Sequence, residues 1–111
     1  MNSDEKLPLK MPITIPQKDE VLSVLREEMP YLREHFHVSE IALFGSYARG
    51  EADSDSDVDI LVTFAQMPGL ITFMKCEGYL TERLGVKVDL VLKSALRPHI
   101  AQTVLSEALY A

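Results

Sequence analysis

The chain has 111 residues, with 17 acidic and 11 basic side chains and a formal net charge of −6. That length suits one domain with a real core, and 47% hydrophobic with 25% charged residues excludes a wholly disordered chain. No apolar run approaches the ~18 residues of a membrane span, and a single cysteine, Cys76, excludes an internal disulfide and a cysteine zinc cage.

Residues 1–18 carry Pro8, Pro12 and Pro16, which exclude a regular helix there. They read as an N-terminal arm ahead of a domain over 19–111. The arm has no apolar core of a secretory signal, so a cytoplasmic setting is expected. Lys18 or Asp19 opens an amphipathic helix with Val21, Leu22, Leu25, Met29 and Leu32 at helical spacing. Pro30 predicts a kink, or two short helices meeting near Met29. Glu40–Phe44 reads as a short buried strand stopped by Gly45. Residues 46–56 are small and polar, a turn or short helix and then a loop. Val58–Phe64 is a second strand. Leu70–Leu84 is a helix with Leu70, Phe73, Met74, Leu80 and Leu84 as its apolar stripe and Gly85 as its stop. Val86–Leu92 is a third strand. Ser94–Tyr110 is a last helix, with Pro98 in its first turn and Ile100, Val104, Leu105 and Ala108 facing inward. Strands alternating with helices imply an α/β (α+β) fold, helices packed on a small sheet. With only three strands expected, the sheet could gain more through a partner.

The charge is concentrated. Glu51, Asp53, Asp55, Asp57 and Asp59 fall within nine residues, and the rest of the chain is nearly neutral. There is no basic footprint for duplex nucleic acid; an acidic spot on a balanced chain suits a cation. Gly45 and Gly50 have P-loop spacing, but Glu51 and Ala52 stand where lysine and a hydroxyl belong. Asp53, Asp55 and Asp57 could start an EF-hand loop, but Val58 replaces its glycine and Phe64 its final acid. What remains is a Gly45-Ser46 turn after one strand and Asp57-Val58-Asp59 at the head of the next. Residues i and i+2 of a strand share a face, so the two carboxylates lie roughly 6.6 Å apart. They repel by about 2.5 kcal/mol at an effective dielectric near 20. Mg²⁺, which takes one or two carboxylates plus substrate phosphates, offsets that repulsion. Asp89, between Val88 and Leu90, is a third acid that an adjacent strand would bring to the same face. The Gly45-Ser46 turn offers backbone N–H groups and a hydroxyl to a polyphosphate, and Arg49 adds a guanidinium fork.

Gly45-Ser46, ten residues, then Asp57-Val58-Asp59 resembles the G-S-x(10)-D-x-D signature of nucleotidyltransferases related to the palm of DNA polymerase beta. Phe44–Gly50 with Ser56–Asp59, and Leu84–Leu90, look like the smallest members, the minimal nucleotidyltransferase (MNT) domains, over roughly residues 19–110. The resemblance implies a mixed sheet with packed helices, with Mg²⁺ as cofactor, in two ions, and ATP as substrate. It implies Asp57, Asp59 and Asp89 as metal-binding and catalytic carboxylates, and Gly45, Ser46 and Arg49 as nucleotide-binding residues. It also implies an antitoxin that transfers AMP to a tyrosine of a helical HEPN-domain RNase partner. Two alternatives stay open: a binding module that neutralises its partner by occlusion, and a small-molecule acceptor. A homo- or hetero-oligomer is compatible with either. Asp53 and Asp55 read as solvated loop residues, His35, His37 and His99 as surface histidines, and Cys76 and Tyr47 as packing residues.

Overall fold

The computed structural model describes residues 15–111, so most of the expected proline-bearing arm lies outside the described residues. The first helix, α1 (Lys18–Phe36), opens with the Gln17 N–H donating to Glu20 Oε1 at 2.7 Å and closes on His37 in the left-handed region. It is one helix rather than two: Pro30 lies inside it. Val21, Leu25 and Leu32 are fully buried along one face, and that packing outweighs the lost hydrogen bond at proline.

Strand β1 (Val38–Phe44) runs into the short helix α2 (Gly45–Arg49), which Gly50 stops in the left-handed conformation. After the acidic loop come β2 (Val58–Phe64), α3 (Leu70–Leu84) and β3 (Val88–Leu92). A 3₁₀ turn (Lys93–Ala95) leads to α4 (Pro98–Glu107) and a two-residue strand, β4 (Leu109–Tyr110). The sheet order is β3-β2-β1-β4. β1 is antiparallel to β2 and to β4, and β2 is parallel to β3.

Three expectations need correction. The sheet has a fourth strand, and the chain supplies it: Leu109 pairs with Leu43 and Tyr110 with Ala42. The last helix therefore ends at Glu107 instead of reaching Tyr110, because edge pairing captures its final residues. The apolar stripes are narrower than their spacing suggests. On α3, Leu70 and Met74 are exposed while Phe73, Cys76, Leu80 and Leu84 pack against the core. Leu70 lies in a first turn that nothing covers, and Met74 is rotated about 100° from Phe73. On α4, Ile100 and Leu105 are exposed and only Val104 is buried.

The two faces of the sheet differ. Ile41, Leu43, Ile60, Val62, Val88 and Leu90 join α1 and α3 in the main core. The alternate residues Ala42 and Leu61 meet Val104 of α4 in a smaller cluster, with Phe44 and Val91 at its margin. Strand alternation puts Asp59 and Asp89 on this second, thinly covered face. At the outer edge, the Val88 N–H donates to Thr81 Oγ1 (3.0 Å) and the Leu90 N–H to Glu77 Oε2 (2.9 Å). Side chains of α3 thus occupy donors that an open edge strand would offer to another chain.

Candidate active site

The parallel register of β2 and β3 makes Asp59 and Asp89 direct partners across the two strands. The antiparallel register of β1 and β2 sets Phe44 opposite Asp59, so Gly45 begins α2 beside the Asp59 side chain. Asp57 lies one residue before β2, where the Val58 N–H donates to the Lys87 carbonyl at 2.8 Å. The two strands thereby bring Asp59 and Asp89 together, with Asp57 one residue ahead of β2.

Gly45 is required twice over. Its φ is +74°, a conformation L side chains rarely adopt. A Cβ there would also stand 3.0 Å from Asp59 Cγ and 3.2 Å from its Cβ, and closer still to Oδ2. Beneath the turn, Tyr47 is buried in the core at 2% exposure, and burial, then the charge of Asp53, pushes its hydroxyl pKa up. Its Oη and the Thr63 hydroxyl are buried without a hydrogen-bond partner among the described residues. In the following loop, Asp53 Oδ1 accepts from the Asp55 N–H (2.9 Å) and the Ser56 hydroxyl (3.2 Å). Both Asp53 and Asp55 are exposed, in keeping with loop roles.

Asp59 is the half-buried member of the trio, while Asp57 and Asp89 are exposed. Burial, and then the charges of Asp89 and Asp57, hold the Asp59 carboxyl above the usual range; Arg49 pulls it back down, and Glu107 pushes it up again. Lys87 sits 3.8 Å from Asp57, with both partners solvated, so it offsets little of the repulsion. The donor set is all carboxylate oxygen, with an anionic surplus that a hard divalent cation relieves. Among the described residues, no group of three His, Cys, Asp or Glu side chains is placed to hold a metal ion. Mg²⁺ commonly takes one or two carboxylates plus substrate phosphates, so these acids would fit it only with a substrate's phosphates supplying further oxygens.

Arg49 extends from the end of α2 with its Nε 2.9 Å from Glu51 Oε1 and its Nη1 3.2 Å from Glu107 Oε2. Glu107 Oε2 also accepts the Gly45 N–H at 2.9 Å. Sequence reasoning misses Glu107: it lies 62 residues from Gly45, and no local motif marks it. A cavity of about 500 Å³ opens beside Asp57, between the 54–57 and 84–87 segments, with Ile15 and Pro16 at its wall. Elsewhere, His35 is exposed and stacked on the Tyr31 ring at 3.8 Å, and Cys76 is fully buried with its thiol pushed up to about 12, mainly by burial. No helix among the described residues is long and apolar enough to cross a membrane.

Residues 22–111 match the family model described as the nucleotidyltransferase domain. A protein adenylyltransferase MntA of Thermococcus cleftensis is 53% identical over 92 residues, covering 83% of this chain and 93% of its own. A structure assigned provisionally as a minimal nucleotidyltransferase superposes with TM-score 0.70 at 35% identity, over 85% of this chain and 95% of the other. A toxin–antitoxin crystal structure with AMP-PNP superposes with TM-score 0.62 at 26% identity, over 86% and 72% of the two chains. A tri-AMPylated HEPN toxin in complex with its MNT antitoxin, from Shewanella oneidensis, gives TM-score 0.53 at 25% identity, over 84% and 66%. With the glycine-serine turn, the paired aspartates and the matched domain in one sheet, the chain belongs to the nucleotidyltransferase domain family and is a minimal nucleotidyltransferase.

Proposed function

We propose that this chain is an antitoxin that transfers AMP from ATP to a tyrosine hydroxyl of a HEPN-type RNase partner. The observation that carries the proposal is the register that sets Asp59 against Asp89, with the Cβ-less Gly45 directly beside them. The MntA relative and the AMPylated HEPN complex support the protein acceptor, and the AMP-PNP complex supports ATP as donor.

In this reading the Gly45 N–H, Ser46 and Arg49 receive the triphosphate. Asp57 and Asp59 would hold Mg²⁺, with Asp89 beside them; bound there, the cation would supply charge neutralisation for phosphoryl transfer. The acceptor oxygen attacks the α-phosphorus in line. The new oxygen–phosphorus bond forms as the bond from the α-phosphorus to the bridging oxygen breaks, and pyrophosphate leaves. The hydroxyl proton passes to Asp89, whose exposure lets it pass the proton on to water. The protein's share is positioning and a fixed electrostatic frame.

The test is intact-mass measurement of a co-expressed helical partner, encoded next to this chain, after incubation with ATP and Mg²⁺. An AMP-sized increment that is absent with Asp57→Ala is the expected result. A stable complex with no increment, neutralised equally by Asp57→Ala, would assign the chain to occlusion instead. Met67, just ahead of α3, and Leu70, Ile71 and Met74 in its first turns, all apolar and exposed, give occlusion a surface to use.

A further inference from the structure

Glu107 ends α4 with its carboxylate directed at the turn that the proposed function assigns to phosphate. Its Oε2 accepts from the Gly45 N–H at 2.9 Å and from Arg49 Nη1 at 3.2 Å, and its Oε1 lies 3.3 Å from the same Nη1. These are the donors a triphosphate oxygen would use, and one backbone N–H serves one anion. The carboxylate matches a phosphate oxygen in charge and in hydrogen-bonding role. Glu107 is also an anion against Asp59, so it adds to a negative surplus instead of neutralising one. Its main chain is held: Ala108 is extended, and Leu109 and Tyr110 are paired to β1. The carboxylate is still about one-fifth exposed. Release therefore needs only rotation of a flexible side chain toward solvent, and Arg49 keeps Glu51 at 2.9 Å when it happens.

We propose that Glu107 is a built-in competitor for the triphosphate, filling the cradle of Gly45 and Arg49 in the nucleotide-free protein and setting nucleotide affinity by the ease of its displacement. This rests on the nucleotide-binding reading of Gly45 and Arg49. It makes α4, which is far from the signature in sequence, part of the nucleotide site.

The test is calorimetric titration of the full chain with inorganic triphosphate and Mg²⁺, with adenosine as the uncharged control. Glu107→Gln retains an acceptor for the Gly45 N–H and loses the charge. It is expected to bind triphosphate at least fivefold more tightly, about 1 kcal/mol, with adenosine unaffected. In the Arg49→Gln background the Glu107→Gln gain should shrink, because the contested cation is gone. Glu107→Ala should shift affinity in the same direction. Triphosphate binding by wild type with equal or weaker binding by both variants would overturn the proposal, make Glu107 a support for Arg49, and leave the nucleotide reading standing. Failure of both variants to fold would make the contact structural and overturn it too. No binding by wild type or variants would remove both readings.

Discussion

Replacing Asp59 by Asn tests whether the site is built at the expense of the fold. Asp59 faces Asp89 across parallel strands, at a strand spacing of roughly 4.8 Å, and feels the charge of Asp57 two residues away. At about 5 Å and an effective dielectric near 20, one such pair repels by about 3 kcal/mol. Asp57 and Asp89 are exposed, however, and Arg49 offsets part of the field, so solvent and salt leave only a fraction of that. About 1 kcal/mol is the expected gain for Asp59→Asn at neutral pH without metal, or roughly 4 °C in Tm for a domain of this size.

The pH dependence follows from the direction of the shift. The folded-state pKa of Asp59 is raised, so the folded protein holds this proton more tightly than the unfolded chain. The penalty is full above the folded pKa and fades as pH falls through it, vanishing below the unfolded value of about 3.9. Urea unfolding in a chelator, with wild type and Asp59→Asn compared from pH 8 to pH 4, should show a gap that closes toward acid. Added Mg²⁺ should stabilise wild type more than the variant, and AMP transfer by the variant should be lost. An Asn variant no more stable than wild type at pH 7.5 in chelator, or a gap that ignores pH, would refute the reasoning.

Three other outcomes are expected. Gly45→Ala and Gly50→Ala both force alanine to a φ of +74°, but among the described residues nothing lies within 4 Å of a Gly50 Cβ, whereas Gly45 meets Asp59. Gly50→Ala should cost about 1 kcal/mol, and Gly45→Ala at least about 1 kcal/mol more, with loss of AMP transfer; denaturant midpoints compare the two. Glu28, buried in α1, accepts from the Tyr79 hydroxyl and from Arg83 Nε at 3.0 Å. Glu28→Ala should cost about 2 kcal/mol, and ultraviolet titration should show Tyr79, held up to about 12 mainly by that hydrogen bond, ionising nearer 10. The Cys76 thiol, buried and pushed up to about 12, should resist a disulfide reagent at pH 8 until denaturant opens the chain.

Much of this molecule is legible from local pattern. The spans Val58–Phe64 and Leu70–Leu84 follow from alternation and helical spacing bounded by Pro68-Gly69 and Gly85. The pairing of Asp59 with Asp89 is legible because a charge on an apolar strand needs a reason, and strand period alone sets the face. The errors arise where a distant segment decides. Leu109 and Tyr110 leave helical spacing for the edge of β1, a choice that no window around them contains. Of the two outcomes expected at Pro30, a kink or a break, the helix does not break, because Leu25 and Leu32 on either side are fully buried and tertiary packing holds it through the proline. Leu70 and Met74 read as core because spacing cannot show where a covering surface ends. Glu107 reaches the site only because α4 crosses the thin face of the sheet and delivers it to Gly45.

The same alternation explains how the sheet tolerates such a site. A one-residue slip of β2 would turn Asp59 into the core and Ile60 out to solvent. Val58, Ile60 and Val62 of that strand are buried beneath α1 and α3, and each costs about 1.5–3 kcal/mol to expose. That opposes a slip by more than the screened repulsion among the three aspartates can supply. The bonds from Val88 and Leu90 to Thr81 and Glu77 fix β3 against α3 independently of β2. The carboxylates are therefore held together from behind, by apolar packing on the opposite face. Their own face stays thin enough for a nucleotide and an acceptor to reach them.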